Sequence, residues 1–290
     1  MCGIFSISIK NNSNLSISLI NNLVRQLGKF SENRGKDSSG IMLKFSENQH
    51  FKIIKSQSSL TSLLSSSDFK ANFNEAANAY NNGSNFTLTG HARLVTNGTQ
   101  LSNTNNQPVV KDDIITVHNG IVTNHESLWK KNKRIRRTFE IDTEIINSII
   151  RDRIPDLGIL KSIYNLVNKI EGTASVICNF NDYDEQVVFS NNRSLHVLTD
   201  FNNYFIVGSE KYYLQKLMNK WSFLRTSNSK LFSPSPGQVV VQNTDNFEIK
   251  TVNLADINRE VQFSKNKKYY TKIINLETKT KIPAILDMED

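Results

Sequence analysis

The chain has 290 residues, of which 38% are hydrophobic and 21% charged, so it can bury a core and is neither a disordered polymer nor a short peptide. Its 35 basic and 27 acidic residues give a net charge of +8, which favours acidic partners in principle but is also common among ordinary enzymes. Only two cysteines occur, Cys2 and Cys178, which argues against a disulfide framework and favours a reducing, cytoplasmic setting. No export signal and no apolar stretch of the ~18 residues that a membrane span needs can be recognised.

The first third of the chain is predicted to begin with a strand and a helix. The segment GIFSISI alternates in size and polarity, which is typical of a buried strand. Leucines recur every fourth residue from Leu15 to Leu27 and predict a helix that Gly28 could cap at its C-terminal end. Residues 41–54 return to strand patterning, whereas the serine-rich stretch 56–67 fits either a loop or a short helix.

Strands and helices are mixed over the rest of the chain. Short strand candidates recur as FTLTGHA, PVV and DIITVHNG, separated by turn residues. Two helices are predicted at about 143–154 and 157–170, and a third over KYYLQKLMNK. Further strands are predicted for TASVICNF, EQVVFSN, NYFIVGS and the segment after SPSPG. This order, without strict alternation, favours an α+β fold with antiparallel pairing.

Cys2 follows the initiator methionine directly, and its small side chain is of the kind that methionine-removing enzymes tolerate. Removal of Met1 would leave an amine with a pKa of about 7.7–8.0 beside a thiol with a pKa of about 8.5. One residue could then supply both nucleophile and base, as in N-terminal threonine enzymes. On its position alone, however, Cys2 is better explained as a small buried residue at the chain start.

Five short motifs follow MCGIF in a fixed order, and together they are far more specific than any one of them. They are RGKDSSG (34–40), GHARLVTNG (90–98), NQPVV (106–110), HNGIVTNH (118–125) and FEIDTE (139–144). The series resembles the glutaminase domain of class II glutamine amidotransferases, such as glucosamine-6-phosphate synthase, amidophosphoribosyltransferase and asparagine synthetase. These proteins are N-terminal nucleophile hydrolases, and the resemblance covers about residues 2–245.

The resemblance implies a four-layer αββα sandwich with two packed, mostly antiparallel sheets. It implies a glutaminase domain over residues 2–250, followed by a polar tail, 251–290, that could dock a partner. The reaction implied is hydrolysis of L-glutamine, which needs no metal or organic cofactor. No Cys/His spacing in the sequence suggests a zinc site.

The resemblance also assigns the reacting groups. Cys2 would be the nucleophile, and the Asn119 side-chain amide and the Gly120 backbone N–H would form the oxyanion hole. Glutamine carries an α-carboxylate and an α-ammonium, and Arg93 and Asp142 match the cation and the anion that a selective site needs. Read without the resemblance, Asn119-Gly120 could equally be a hairpin turn, and Arg93 and Asp142 would be a surface ion-pair residue and a helix N-cap.

Supporting residues are implied in the same way. Thr96, Asn97 and Gly98 would line the end of the site that holds the α-carbon of glutamine. Arg34 and Asp37 would organise the site without performing chemistry. The remaining candidates are expected to have structural roles, with Cys178 as an inert core thiol and the histidines as buried or hydrogen-bonded side chains: His91, His118 and His125.

The ammonia acceptor is not identified by the sequence. Leu94 and Asn97 stand where glucosamine-6-phosphate synthases usually have Trp and His, and about 45 residues after the glutaminase region are too few for a synthase domain. We therefore expect a separate synthase subunit. The basic run KKNKRIRR, 130–137, could be a solvated loop or could dock an acidic partner or a nucleic acid. Alternative hypotheses are an amidohydrolase acting on another amide and a catalytically silent regulatory or nucleic-acid-binding subunit.

Overall fold

The structure is a computed structural model that describes residues 2–45, 50–94, 105–180, 182–257, 271–275 and 281–284. Its strands are β1 (Gly3–Ile9), β2 (Ser38–Phe45), β3 (His50–Ser56), β4 (Phe86–Arg93), β5 (Val109–Lys111), β6 (Ile114–Val122), β7 (Gly172–Phe180), β8 (Glu185–Ser190), β9 (His196–Thr199), β10 (Tyr204–Gly208), β11 (Lys230–Phe232), β12 (Gln238–Asn243), β13 (Ile249–Asn253), β14 (Thr271–Asn275) and β15 (Lys281–Ala284). Its α-helices are α1 (Ile17–Glu32), α2 (Leu60–Leu63), α3 (Ser67–Asn81), α4 (His125–Lys131), α5 (Thr143–Val167) and α6 (Lys211–Lys220).

Two stacked sheets form the centre of the fold. The first has the order β11-β9-β10-β1-β4-β2-β3-β14-β15, and the second has the order β13-β12-β8-β7-β6-β5. Paired strands are antiparallel, apart from β14, which runs parallel to β3. Helices α1, α2, α3 and α6 pack on the outer face of the first sheet, while α4 and α5 pack on that of the second. The predicted α+β fold, a four-layer αββα sandwich, is confirmed.

β1 places the N-terminal segment in the interior of the first sheet. All seven residues of GIFSISI are buried, and β1 pairs with β10 on one side and β4 on the other. Phe5, Ile7 and Ile9 face the helices, whereas Ile4 faces the second sheet, as the two-residue period of a strand requires. The N-terminal strand predicted from the sequence is therefore confirmed as a central strand.

The interface between the sheets also contains polar side chains. Thr89 of β4 in the first sheet lies opposite Asn179 of β7 and Gln186 of β8 in the second sheet. The Thr89 Oγ1 atom accepts hydrogen bonds from Asn179 Nδ2 at 3.4 Å and from Gln186 Nε2 at 3.2 Å. Ser8 Oγ of β1 donates to Gln242 Oε1 of β12 at 3.1 Å. Because hydrogen bonds are directional and apolar contacts are not, these bridges fix how the two sheets are aligned.

Two predicted helix boundaries require comment. The prediction that Gly28 caps α1 is wrong, because the helix continues to Glu32. A Cβ atom at position 28 would lie 2.4 Å from Leu64 Cδ1, so this glycine is needed for close packing rather than for a turn. The serine-rich stretch does form the short helix α2, but α3 directly after it was not predicted.

The two helices predicted at about 143–154 and 157–170 are both present, because α5 is broken into two helical segments at Gly158. Gly158 has φ 71° and ψ 171°, a conformation outside the helical region that glycine adopts readily. The predicted domain boundary at residue 250 falls within β13, and it stays a prediction. None of the helices in the described ranges is long and apolar enough to cross a membrane.

Candidate active site

The Cys2 thiol lies at the start of β1, in the middle of the first sheet. Its Sγ atom is 3.7 Å from the carbonyl oxygen of Leu94, to which the thiol donates. Burial raises the pKa of the Cys2 thiol above its ordinary value, and the nearby Asp142 carboxylate acts in the same direction. The positive charge of Arg93 opposes this shift. The thiol is thus partly shielded from water and close to charges of both signs.

Arg34 holds the backbone of the nucleophile. Its Nε atom donates to the carbonyl oxygen of Cys2 at 2.9 Å, and its Nη1 atom forms an ion pair with Glu210. Glu210 directly precedes α6, so the pair joins that helix to the start of β1. At Gly3 an added Cβ would lie 2.2 Å from the carbonyl oxygen of Ser31, so only glycine lets β1 begin this close to the end of α1.

Arg93, the last residue of β4, supplies a buried cation beside the thiol. It is 4% exposed, and its Nη1 atom donates to Asn106 Oδ1 at 2.7 Å. Asn106 Oδ1 also accepts a hydrogen bond from Ser38 Oγ at 2.8 Å, which fixes the orientation of the amide. Burial lowers the pKa of Arg93, while Cys2, Asp37 and Asp142 raise it. Asp37 is further held by its backbone N–H, which donates to the Arg93 carbonyl at 3.0 Å.

Asp142 lies at the N-terminus of α5, but its carboxylate does not cap that helix. Instead, Asp142 Oδ2 accepts a hydrogen bond from the backbone N–H of Val122 at 2.8 Å. Asp142 is 7% exposed, and its charge raises the pKa of Cys2 and opposes the lowering of the His118 pKa. The side chain therefore joins the end of β6 to the surroundings of the thiol.

Asn119 and Gly120 lie within β6, and the alternative prediction of a hairpin turn at this pair is wrong. They pair with Ser175 and Ala174 of β7. Asn119 is 2% exposed, and its Oδ1 atom has no hydrogen-bond partner among the described residues.

Gly120 is required by its backbone and by its neighbours. It has φ +150°, and an added Cβ would lie 2.0 Å from the carbonyl oxygen of Thr173. Any other residue would therefore push β6 and β7 apart at this point.

Gln107 braces the strand that carries this pair, a role that the sequence analysis missed. Gln107 Oε1 accepts from the His118 backbone N–H at 2.5 Å, and Nε2 donates to the His118 carbonyl at 3.1 Å and to Thr143 Oγ1 at 3.2 Å. Gly40 of β2 lets the backbone of Gln107 approach closely, since a Cβ at position 40 would lie 2.1 Å from the Gln107 carbonyl oxygen. The NQPVV motif contained the signal, because Asn106 and Gln107 are polar residues directly before a buried strand.

No hydrogen bond joins a histidine to the Cys2 thiol among the described residues. His118 is buried, and its ring nitrogens lie 3.2 Å from Thr143 Oγ1 and 3.4 Å from the Thr173 carbonyl. Burial lowers the pKa of His91 to about 3 and also lowers that of His118, so both rings are neutral at physiological pH. His125 begins α4, with Nδ1 3.6 Å from Glu126 Oε1. Cys178 is fully buried, which raises its pKa to about 12.

Five of the residues predicted for the site are thus linked by direct contacts or by effects on pKa: Cys2, Arg34, Asp37, Arg93 and Asp142. Asn119 and Gly120 lie on β6, the strand whose Val122 N–H donates to Asp142. Three others, Thr96, Asn97 and Gly98, lie outside the described residues. Leu94, which precedes that segment, is 42% exposed. The site therefore combines the ends of β1 and β4 from the first sheet with β6 and the start of α5 from the second.

Comparison with known proteins identifies this arrangement. The family model described as a glutamine amidotransferase domain matches residues 91–216. The isomerizing glutamine–fructose-6-phosphate aminotransferase of Wigglesworthia glossinidia brevipalpis is 29% identical over 212 residues, which cover 72% of this chain and 30% of that enzyme. The corresponding enzyme of Xanthomonas campestris is 34% identical over 86 residues, or 29% of this chain and 14% of that enzyme. The chain is therefore similar to proteins that contain a glutamine amidotransferase domain.

Solved structures agree with this assignment at the level of the fold. Glutamine phosphoribosylpyrophosphate amidotransferase from B. subtilis superposes with a TM-score of 0.58 at 15% identity, covering 92% of this chain and 51% of that one. An allosteric regulatory enzyme of purine biosynthesis gives a TM-score of 0.59 at 17% identity, covering 89% and 50%. This chain thus spans about half of each of these solved chains and at most 30% of the two curated relatives.

Proposed function

We propose that this chain hydrolyses L-glutamine to glutamate and ammonia through a thioester on Cys2, and that the ammonia passes to a separate synthase subunit. The observation that carries the proposal is the grouping of one thiol, one buried cation and one buried carboxylate: Cys2, Arg93 and Asp142 each shift the pKa of another member of this group. A free amino acid with a side-chain amide has the complementary charges and the complementary electrophile.

Substrate recognition follows from the two fixed charges. Arg93 would bind the α-carboxylate of glutamine through its guanidinium, and Asp142 would bind the α-ammonium. Thr96, Asn97 and Gly98 would complete this end of the site with hydroxyl and backbone donors. The side-chain amide of the substrate would then extend toward Cys2. An acylated amino acid lacks the ammonium that Asp142 would bind, which is why we favour glutamine over a blocked amide.

The chemistry requires a proton acceptor for the thiol, and no histidine forms a hydrogen bond with it among the described residues. After removal of Met1, the α-amine of Cys2 would take the thiol proton, and the thiolate would attack the δ-carbon of glutamine. Asn119 and Gly120 would donate hydrogen bonds to the oxyanion. The amide C–N bond then breaks as the protonated α-amine of Cys2 returns its proton to the leaving nitrogen, which departs as ammonia. Water finally attacks the thioester, breaks the C–S bond and releases glutamate.

The residues around the thiol have positioning roles in this proposal. Arg34 would hold the Cys2 carbonyl so that the amine and the thiol keep their orientation, and Asp37 would hold Arg93. We further propose a reducing, cytoplasmic setting, which two free cysteines support. The tail from residue 251 remains a candidate for docking the synthase.

The decisive experiment compares the two cysteines. A diazoketone analogue of glutamine should alkylate the wild-type protein once, at Cys2, and mass spectrometry should find the mature chain without Met1. Cys2→Ala should abolish both alkylation and glutamate release. The matched variant Cys178→Ala should keep both, because that thiol is buried on β7 and its pKa is about 12. Retention of Met1 in the active protein, or turnover by Cys2→Ala, would show that the proposal is wrong.

A further inference from the structure

A second surface, on the helices that cover the first sheet, carries a concentrated positive charge. We call it the α1–α6 face and define it by six basic residues: Arg25, Lys29, Lys211, Lys216, Lys220 and Arg225. None of the six forms an ion pair with a described residue. The sequence contains no Asp or Glu from Met1 to Ser31 or from Lys211 to Thr244. No acidic side chain within these segments offsets the positive charge, and the bordering Glu210 and Glu32 bond to Arg34 and Thr61 instead.

The α1–α6 face is grooved. One groove, of about 580 Å³, runs along α6 and is lined by Lys211, Tyr212, Lys216 and Arg225 among others. A second, of about 320 Å³, lies between α1 and the end of α6 and is lined by Arg25, Lys29, Lys220 and Trp221 among others. Lys220 Nζ lies 3.4 Å from Gln26 Oε1, which joins the two helices at this point. A groove lined by cations and amides suits an extended anionic chain.

Aromatic rings alternate with the cations on this face. Tyr212 is 58% exposed, and the Lys216 ammonium lies 4.4 Å from the centre of its ring. The Lys220 ammonium lies 4.8 Å from the ring centre of Trp221, which is half-buried. Cations next to exposed rings let a nucleotide place its phosphate on the ammonium and its base on the ring.

The composition of this face argues for nucleic acid over an acidic protein. Protein interfaces have a fully buried apolar core in which lysine is depleted. Here four of the six defining residues are lysines, and Tyr212 is the one large apolar side chain of α1 and α6 that is exposed in the described structure. Lysines act as point charges that attract phosphates without demanding a fixed geometry.

From these observations we propose that the α1–α6 face binds single-stranded nucleic acid. Binding would depend on charge and on base stacking, with little sequence preference. This property goes beyond glutamine hydrolysis and uses none of the residues assigned to that reaction.

The test measures fluorescence anisotropy with 20-nucleotide probes of oligo-dT and oligo-U at salt concentrations from 50 to 200 mM. The wild-type chain should bind both, or one if sugar contacts contribute, with affinity that falls as salt rises. The triple variant K216E/K220E/R225E should weaken binding at least about tenfold. If each residue contacts one phosphate, the slope of log affinity against log salt should fall by about 2, from ~0.7 per contact.

The chain offers a matched control. K130E/K131E/K133E makes the same change in net charge on the other basic cluster, which begins in the last turn of α4 and contains no exposed aromatic ring. This variant should bind within about threefold of the wild type. Equal losses in the two triple variants would mean that only net charge matters and would overturn the proposal, as would an absence of binding at 50 mM salt.

A second variant tests the aromatic contribution. Tyr212→Leu keeps an apolar side chain on α6 but removes the ring, and it should weaken binding about fivefold or more, since stacking contributes roughly 1–3 kcal/mol per base. Poly-glutamate at equal charge concentration should compete poorly. Full competition by poly-glutamate, together with an unchanged Tyr212→Leu variant, would indicate a site for acidic protein instead. Alkylation of Cys2 by the diazoketone should be unchanged in all variants, which shows that they are folded.

Discussion

Asp142 is the residue in which the proposed binding and chemical steps meet. Its carboxylate accepts a hydrogen bond from the Val122 N–H, and its charge raises the pKa of the Cys2 thiol. A bound α-ammonium would neutralise that charge. The α-carboxylate would in the same way neutralise Arg93, whose charge lowers that pKa, so the two charges of glutamine would act on the nucleophile in opposite directions.

The variant Asp142→Asn separates these effects, because the amide oxygen can still accept from Val122 while the charge is lost. We expect kcat/KM for glutamine to fall roughly 10- to 100-fold, as for loss of a hydrogen bond to a charged group, chiefly through KM. The pH profile of Cys2 alkylation by iodoacetamide should move to lower pH, since a neighbouring negative charge is removed. An unchanged KM would argue against ammonium binding by Asp142.

Gly120 gives a prediction about stability at the same scale. Gly120→Ala would place a Cβ 2.0 Å from the Thr173 carbonyl oxygen at a φ of +150°. We expect the free energy of unfolding to fall by about 2–5 kcal/mol, measured by urea denaturation. Gly237→Ala is the control, because Gly237 also has positive φ (+83°) but an added Cβ would meet nothing within 4 Å. Similar losses in the two variants would mean that strain alone, not the contact with β7, requires Gly120.

At the scale of elements, the local sequence pattern was sufficient to predict the central strands and α6. The alternation in GIFSISI and the apolar runs of β7 and β8 predicted their strands, because each is buried on both faces or packs against a sheet. The short strands β9, β11 and β13 were not predicted, since segments of three to five residues carry little periodic signal. The role of Gly28 was predicted wrongly because it depends on a contact with Leu64, directly after α2, which the sequence of α1 does not contain.

The candidate site shows the same division. The motifs predicted Cys2, Arg93, Asn119 and Asp142 as site residues, because family resemblance links residue type to position. They did not reveal that Glu210 pairs with Arg34, since the two are 176 residues apart in the sequence. Long-range hydrogen bonds depend on how strands are ordered in the sheets, and that order cannot be read from any one segment.

Gln107 provides a test of such a bracing contact between elements. Gln107→Ala would leave the His118 backbone N–H without its 2.5 Å acceptor. We expect the free energy of unfolding to fall by about 1–3 kcal/mol, and kcat to fall as well because β6 carries Asn119. Asn147→Ala is the matched control: Asn147 donates to the Ile114 carbonyl at 2.9 Å at the opposite end of β6, so the variant should lose stability with kcat retained. Loss of kcat in both variants would show that β6 responds as a whole.

For the whole molecule, the pH dependence of stability contains a contribution from Glu185. Burial raises the pKa of Glu185 to about 7, and its Oε2 atom has no hydrogen-bond partner among the described residues. The folded state therefore binds this proton more tightly than the unfolded state, so the stabilisation is complete at low pH and is lost as pH rises through about 7. At pH 8 the chain must fold with a buried, ionised carboxylate.

Glu185→Gln should remove that penalty, because the amide keeps an acceptor for Asn243 Nδ2, now 2.9 Å from Glu185 Oε1. We expect the variant to melt at a higher temperature than the wild type at pH 8 and at nearly the same temperature at pH 5. Thermal denaturation of the two proteins at both pH values measures this difference. A constant difference across pH would show that Glu185 does not titrate in the folded chain.

The polar bridges between the sheets have a consequence for how this sequence can change during evolution. Thr89 shares its hydroxyl with Asn179 and Gln186, which belong to the opposite sheet, and Gln186 Nε2 also donates to Asn179 Oδ1 at 2.7 Å. Loss of any one of the three removes a hydrogen bond from the other two, and a buried polar atom left without a partner costs about 1–3 kcal/mol. Positions 89, 179 and 186 should therefore covary among related sequences. Thr89 stands four residues before Arg93 on the same strand. Selection for the position of Arg93 would therefore also restrict substitutions at these three positions, although none of them would contact the substrate.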